Sequence, residues 1–280
     1  MARRRGRAVS AFMKIEARDP GTLVADKAGL RKPLYIVARD RVQIRANEAF
    51  LVVQPDAHPV RYFAFARLDR IICHAGVDWS GEALTRCLQH RVTISWLTGR
   101  GELLGYCIPR VTSHEPFHHC MERFAGLPSA SVRWENWFRH RRMFVLSAWA
   151  ESKAKCGAPV AEQTFRELTR GFVHRQEPVL QLSAELLGPF QSYIVARLAR
   201  ERVECSYRGR NDTTINLLEH LTLLLWGHAN LDAGSLASKI QERKIQWQFL
   251  EAWQKDHFST LEEHFVNLKL FLVGILKASP

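Results

Sequence analysis

The hydrophobic period of this chain changes once, near residue 110, and that change limits the folds open to it. From Leu34 to Ile108 the apolar residues fall in short runs separated by polar turns: 34–37, 42–44, 50–53, 61–65, 68–73, 92–97 and 102–108. Runs this short, rich in β-branched and aromatic residues, predict strands. Gly99-Arg100-Gly101 between the last two marks a hairpin. One segment departs from the pattern. Ser80 is placed to cap a helix with Glu82 in its first turn, and Ala83, Leu84 and Cys87 share a face, so 80–89 is predicted helical.

From Val132 the spacing becomes helical. Trp134, Trp137, Phe138, Phe144, Val145, Leu146 and Trp149 form an apolar stripe, interrupted by Arg139-His140-Arg141-Arg142. Residues 168–187 predict one or two further helices with Pro178 at a start, and 190–202 another. Asp212 to Thr214 are placed to cap a helix whose Leu217, Leu218, Leu221, Leu224 and Leu225 face a core. That helix is expected to break at Gly227, with a short loop leading to Ser235. Residues 244–280 carry Trp247, Phe249, Leu250 and Trp253, then Leu261, Phe265, Leu268, Leu270 and Leu272, the pattern of two amphipathic helices. The expected class is α+β: a basic arm over 1–30, a β-rich domain over 31–110 and a larger all-helical domain over 111–280.

Charge narrows the partners. There are 40 Lys and Arg residues against 28 Asp and Glu, a net +12, and the isoelectric point is near 9.8. Such an excess favours a polyanion, because each phosphate contact releases counterions and adds affinity whatever the base sequence. Nucleic acid comes first. No apolar run is long enough to cross a bilayer, since Asn267 and Lys269 interrupt the stretch 265–276. MARRRGR is not followed by the apolar segment of an export signal. Six scattered cysteines form no disulfide framework. A cytoplasmic protein with no membrane partner is therefore expected.

Two kinds of candidate site stand out. His114, His118, His119 and Cys120 are suitable zinc ligands, but no Cys-x-x-Cys or second His pair completes a site, so the segment is read as a polar loop. The arginines are better candidates, because guanidinium groups bond phosphate oxygens bidentately and keep their charge. Arg139, Arg141 and Arg142 form one concentration, and Arg197, Arg200, Arg202, Arg208 and Arg210 the other.

The ordered series of strand at 34–36, Leu68-Asp69-Arg70-Ile71-Ile72, the helix from Glu82, Val92-Thr93-Ile94-Ser95-Trp96-Leu97 and Gly101-Glu102-Leu103-Leu104-Gly105 resembles the N-terminal domain of the CRISPR-associated protein one family. That family comprises the integrases that insert spacers into CRISPR arrays. Its helical domain carries a glutamate in Leu-x-Gly-x-Glu-Gly-x-Ala-Ala-x-x-Tyr, then a helix opened by Asp-x-x-Asn, a histidine loop, and Ser-Leu-Ala-x-Asp-x-x-Glu. Glutamate, histidine and aspartate there hold a divalent metal for phosphodiester chemistry. The resemblance runs from about Leu34 to Arg243.

Laid without gaps on that segment, 182–193 puts Leu186 at the glutamate, and a one-residue shift puts Glu185 there. Only 228–234 separate Gly227 from Ser235, so the histidine loop is shortened. Lys239 stands at the aspartate, a reversal of charge. The resemblance thus implies a CRISPR-adaptation integrase homologue that binds duplex or branched DNA and dimerises, or pairs with an active paralogue, without nuclease activity of its own. Lys239 then joins the arginines as a DNA-contacting residue. The small second protein of the adaptation complex is a further implied partner, and no cofactor is expected. The alternative is an active endonuclease or integrase in which Glu185, His228 and Asp232 rebuild a site for magnesium or manganese.

Overall fold

The structure is a computed structural model that describes residues 31–36, 41–56, 58–110, 116–177, 179, 181–209, 214–234 and 243–278. The basic arm, His114, Pro178, Arg210, Asp212 and Lys239 lie outside them.

The short alternating runs form two sheets. The first comprises β1 (Lys32–Ile36), β5 (Leu68–His74), β7 (Thr93–Leu97) and β8 (Leu103–Cys107) in the order β1-β5-β7-β8, with β1 and β7 parallel to β5 and β8 antiparallel to β7. The second orders β4 (Arg61–Ala64), β3 (Phe50–Pro55), β2 (Val42–Ala46) and β6 (Asp78–Trp79). Leu34, Ile71, Cys73 and Ile94 from the first sheet and Val42, Ile44, Leu51 and Val53 from the second share one core. Helix α1 (Gly81–Gln89) adds Ala83 and Cys87 to it, and begins where the Ser80 hydroxyl accepts from the Ala83 amide at 3.1 Å.

In β5 every residue but the last is buried, as happens to a strand covered on both faces. Its second cover is helical. The Arg70 guanidinium lies over the Tyr193 ring, 5.3 Å from the centroid, and donates to Gln254 Oε1 at 3.2 Å. Asp69 accepts from Arg70 at 2.9 Å and also pairs with Arg200.

The second half contains α2 (Pro116–Ala125), α3 (Ala130–Lys155), α4 (Glu162–Leu168) running into a π-helical turn (Thr169–Arg175), and a 3-10 turn (Ala184–Leu186). After these come α5 (Leu187–Arg200), the antiparallel pair β9 (Ser206–Arg208) and β10 (Thr214–Asn216), α6 (Leu217–Gly234), α7 (Arg243–Asp256) and α8 (Phe258–Ala278). The α+β class holds. Phe124, Trp134, Phe138, Phe190, Trp226 and Phe265 fill a second core.

Three local expectations are corrected. Residues 116–125 are helical, because Phe117, Met121, Phe124 and Ala125 turn one face inward. Thr214 is a strand residue, and Asn216 caps α6 instead: its Oδ1 accepts from the Glu219 amide at 3.1 Å while its Nδ2 donates to Glu219 Oε2 at 3.1 Å. Most consequentially, α6 does not break at Gly227 but continues to Gly234. A Cβ at Gly227 would stand 2.2 Å from Phe172 Cε2, so the glycine admits a close aromatic neighbour and does not end the helix.

Two more glycines join the halves. A Cβ on Gly188 would sit 2.1 Å from the Gly101 carbonyl oxygen, and one on Gly101, at φ +85°, 2.4 Å from that of Glu185. The β7–β8 turn thus meets the start of α5 backbone to backbone.

Candidate functional site

Because α6 continues through Gly227, His228 and Asp232 fall four residues apart on one face of a helix. His228 Nε2 lies 3.6 Å from Asp232 Oδ2. His257, between α7 and α8, brings its own Nε2 to 3.4 Å from the same oxygen. Among the described residues these three form the one group of potential metal ligands, with ligand atoms all within 4.8 Å of one another. Trp253 frames them: its Nε1 donates to Asp232 Oδ2 at 2.8 Å, and its ring stacks on His257 with centroids 4.3 Å apart. The His257 Nδ1 donates to the Trp253 carbonyl at 3.1 Å. Phe190, on α5, closes against Trp226 and Trp253.

The electrostatics keep His228 uncharged. Burial pushes its pKa down to about 4, against the pull of the Asp232 carboxylate and with the help of His257. At neutral pH it offers a lone pair. His228 and Asp232 therefore come together as candidate ligands, and their companion is His257 rather than Glu185. No local sequence signal marks His257, which follows Asp256 at the end of an amphipathic helix.

Leu186 is 0% exposed and belongs to the helical core. Glu185 is half-buried beside it. Lys239 lies outside the described residues.

The arginine expectation needs correction. Arg141 is buried, donating through Nε to His264 Nδ1 at 3.0 Å and pairing with Glu263 at 3.2 Å. Arg142 is 1% exposed, over the Phe138 ring, and its burial pulls its pKa down to about 10. Arg197 is buried between Glu201 and Glu262. On α3 and α5 these side chains turn inward, two of them toward carboxylates on α8 that lie more than 60 residues away in sequence. Arg139, Arg200, Arg202 and Arg208 are exposed. Arg200 and Arg202 line a groove with Lys269, Phe117 and Cys120.

His118 and His119 make ordinary contacts. His118 is buried, with Nδ1 2.9 Å from the Tyr207 hydroxyl and Nε2 3.4 Å from Glu122. His119 approaches the same carboxylate at 3.9 Å.

Residues 34–122 match the model of the family described as CRISPR associated protein Cas1. No curated protein sequence matches the chain. Among solved structures, a CAS1 protein from Thermotoga maritima shares the fold with a TM-score of 0.64 at 12% identity, over 87% of this chain and 97% of its own. A TtCas1–DNA complex gives 0.51 at 14% identity, over 86% and 91%. A casposase bound to integration product gives 0.50 at 13%, over 76% and 75%. No helix among the described residues is long and apolar enough to cross a membrane.

Proposed function

The chain has the fold of the CRISPR-associated protein one family and matches that family over residues 34–122, and from this premise we propose that it is a DNA-binding integrase homologue of CRISPR adaptation without the family's own strand-cutting and joining activity. The observation that supports the reading is the full burial of Leu186 in the helical core, at the position where the gapless alignment puts the family's metal glutamate; a one-residue shift would put Glu185 there. An alkyl side chain offers no lone pair to a cation, so no catalytic step is assigned through that position.

DNA binding is supported by three observations: the net charge of +12, the exposed Arg139, Arg202 and Arg208, and the presence of DNA or an integration product in two of the similar structures. Assembly with a second copy, with an active paralogue, or with the small second protein of the adaptation complex belongs to the same reading. The test is titration of fluorescent duplex and branched DNA at several salt concentrations. Affinity is expected to fall steeply with salt, and Arg139→Ala or Arg208→Ala each to lower the log–log slope by about 1. Lys239→Asp is expected to weaken binding without restoring cleavage. Absence of duplex binding at low salt would overturn the proposal.

A second reading keeps the activity in a displaced magnesium or manganese site, and the meeting of His228 with Asp232 favours it. Robust cleavage or integration of branched DNA, sensitive to chelator and lost in Asp232→Ala, would establish it over the first. Co-purification with a paralogue bearing the family's ligands would instead support the scaffold.

A further inference from the structure

We propose that His228, Asp232 and His257 form a binding site for a zinc-class transition-metal dication that ties α6 to the α7–α8 junction. The inference rests on local geometry and is independent of the DNA-binding reading. It differs from the magnesium or manganese site considered above in both metal and third ligand.

Distance is the first support. The two Nε2 atoms lie 3.4 and 3.6 Å from Asp232 Oδ2, beyond the 2.7–3.2 Å usual for a hydrogen bond to oxygen. Both suit two ligands of one ion, and all three ligand atoms lie within 4.8 Å of one another. Bonds of about 2.0–2.2 Å to a tetrahedral ion put neighbouring ligand atoms roughly 3.3–3.6 Å apart.

The surroundings are the second support. A metal-bound imidazole characteristically donates its other N–H to a carbonyl or carboxylate, which fixes the tautomer and aims the lone pair. His257 does this, giving Nδ1–H to the Trp253 carbonyl and leaving Nε2 toward Asp232. Trp253 Nε1–H holds the same carboxylate oxygen at 2.8 Å, which fixes the carboxylate against the two imidazoles. One tryptophan thus orients two of the three ligands. The third, His228, sits one helical turn before Asp232.

Donor chemistry selects the metal. Two imidazoles and one carboxylate are a zinc set, whereas magnesium prefers all-oxygen coordination and retains its waters. The ligands' side chains are 12%, 26% and 27% exposed among the described residues, so solvent reaches all three.

The test uses the full-length chain, stripped with chelator and titrated with Zn²⁺ by calorimetry, with Co²⁺ as a spectroscopic stand-in. One Zn²⁺ per chain is expected at this site, with a visible Co²⁺ spectrum, and a hundredfold excess of Mg²⁺ is expected to displace neither. Asp232→Asn keeps an acceptor for Trp253 and should weaken Zn²⁺ binding at least tenfold, as should His257→Gln. Trp253→Phe, which removes the orienting N–H, should weaken it about 10- to 100-fold. Far-ultraviolet circular dichroism without metal identifies the variants that fold, and those carry the comparison. Zn²⁺ binding equal in wild type and every folded variant, no Zn²⁺ binding at all, or displacement by Mg²⁺ would each overturn the proposal. DNA affinity plays no part in these readouts, so either proposal can fail alone.

Discussion

His264 offers a quantitative test of the helical core. It is 1% exposed on α8, where its Nδ1 accepts from Arg141 Nε at 3.0 Å. Burial first, then the Arg141 charge and a smaller push from His228, lowers its pKa to about 3. An unfolded histidine titrates near 6.5. The native state therefore binds fewer protons than the unfolded state at this position once pH drops below about 6.5, and stability falls with pH until about pH 3. Between pH 6.5 and 5 the loss is roughly 1.5 pH units at about 1.36 kcal/mol each, so about 2 kcal/mol from this side chain. The perturbation is His264→Gln, whose carbonyl can still accept from Arg141. Urea unfolding of both proteins at pH 7 and pH 5 gives four stabilities. Every other titrating group, His228 included, contributes to both proteins. The wild type should lose about 2 kcal/mol more than the variant over this range. Equal losses within about 0.5 kcal/mol would refute the depressed pKa, and with it the view that Arg141 donates to a neutral imidazole.

Other expectations follow from the packing. Gly227→Ala places a methyl against the Phe172 ring and should cost about 1–3 kcal/mol, partly recovered by adding Phe172→Leu; an unchanged melting temperature for the single variant would refute the close contact. Asp69→Asn leaves the buried Arg70 without its carboxylate and should destabilise by about 3 kcal/mol, measured by urea unfolding. Arg197→Met should lower stability while leaving DNA affinity near wild type, whereas Arg208→Ala should do the reverse, so parallel unfolding and binding titrations separate interior from surface arginines.

Much of the fold was legible because local chemistry and global position agree in it. The strands of the first half announce themselves as short apolar runs bounded by polar turns; β2 and β3 bury alternate residues, whereas β5 is buried on both faces. Ser80 caps α1 as its hydroxyl requires. What could not be read depended on partners distant in sequence. Gly227 looks like a helix end until Phe172 is placed beside it. Arg141 and Arg197 look like a phosphate surface until Glu263 and Glu262 arrive from α8. The same holds for the candidate site: His228 and Asp232 were visible as residues, but their shared face depends on α6 continuing, and His257 joins only through the tertiary packing of α7 and α8.

The double-sided burial of β5 also bears on synthesis. The first sheet is complete at Cys107, yet α5, which packs over β5, β7 and β8, begins at Leu187. That is 187 − 107 = 80 residues later, and at about 5–20 residues per second the ribosome needs roughly 4–16 s to supply them. Throughout that interval the emerging β region lacks its second cover. Arg70 meanwhile stays hydrated until Tyr193 and Gln254 have been made. A charged residue at the centre of that face opposes premature association between nascent sheets, and once the helices arrive it is absorbed into the contact that joins the two halves.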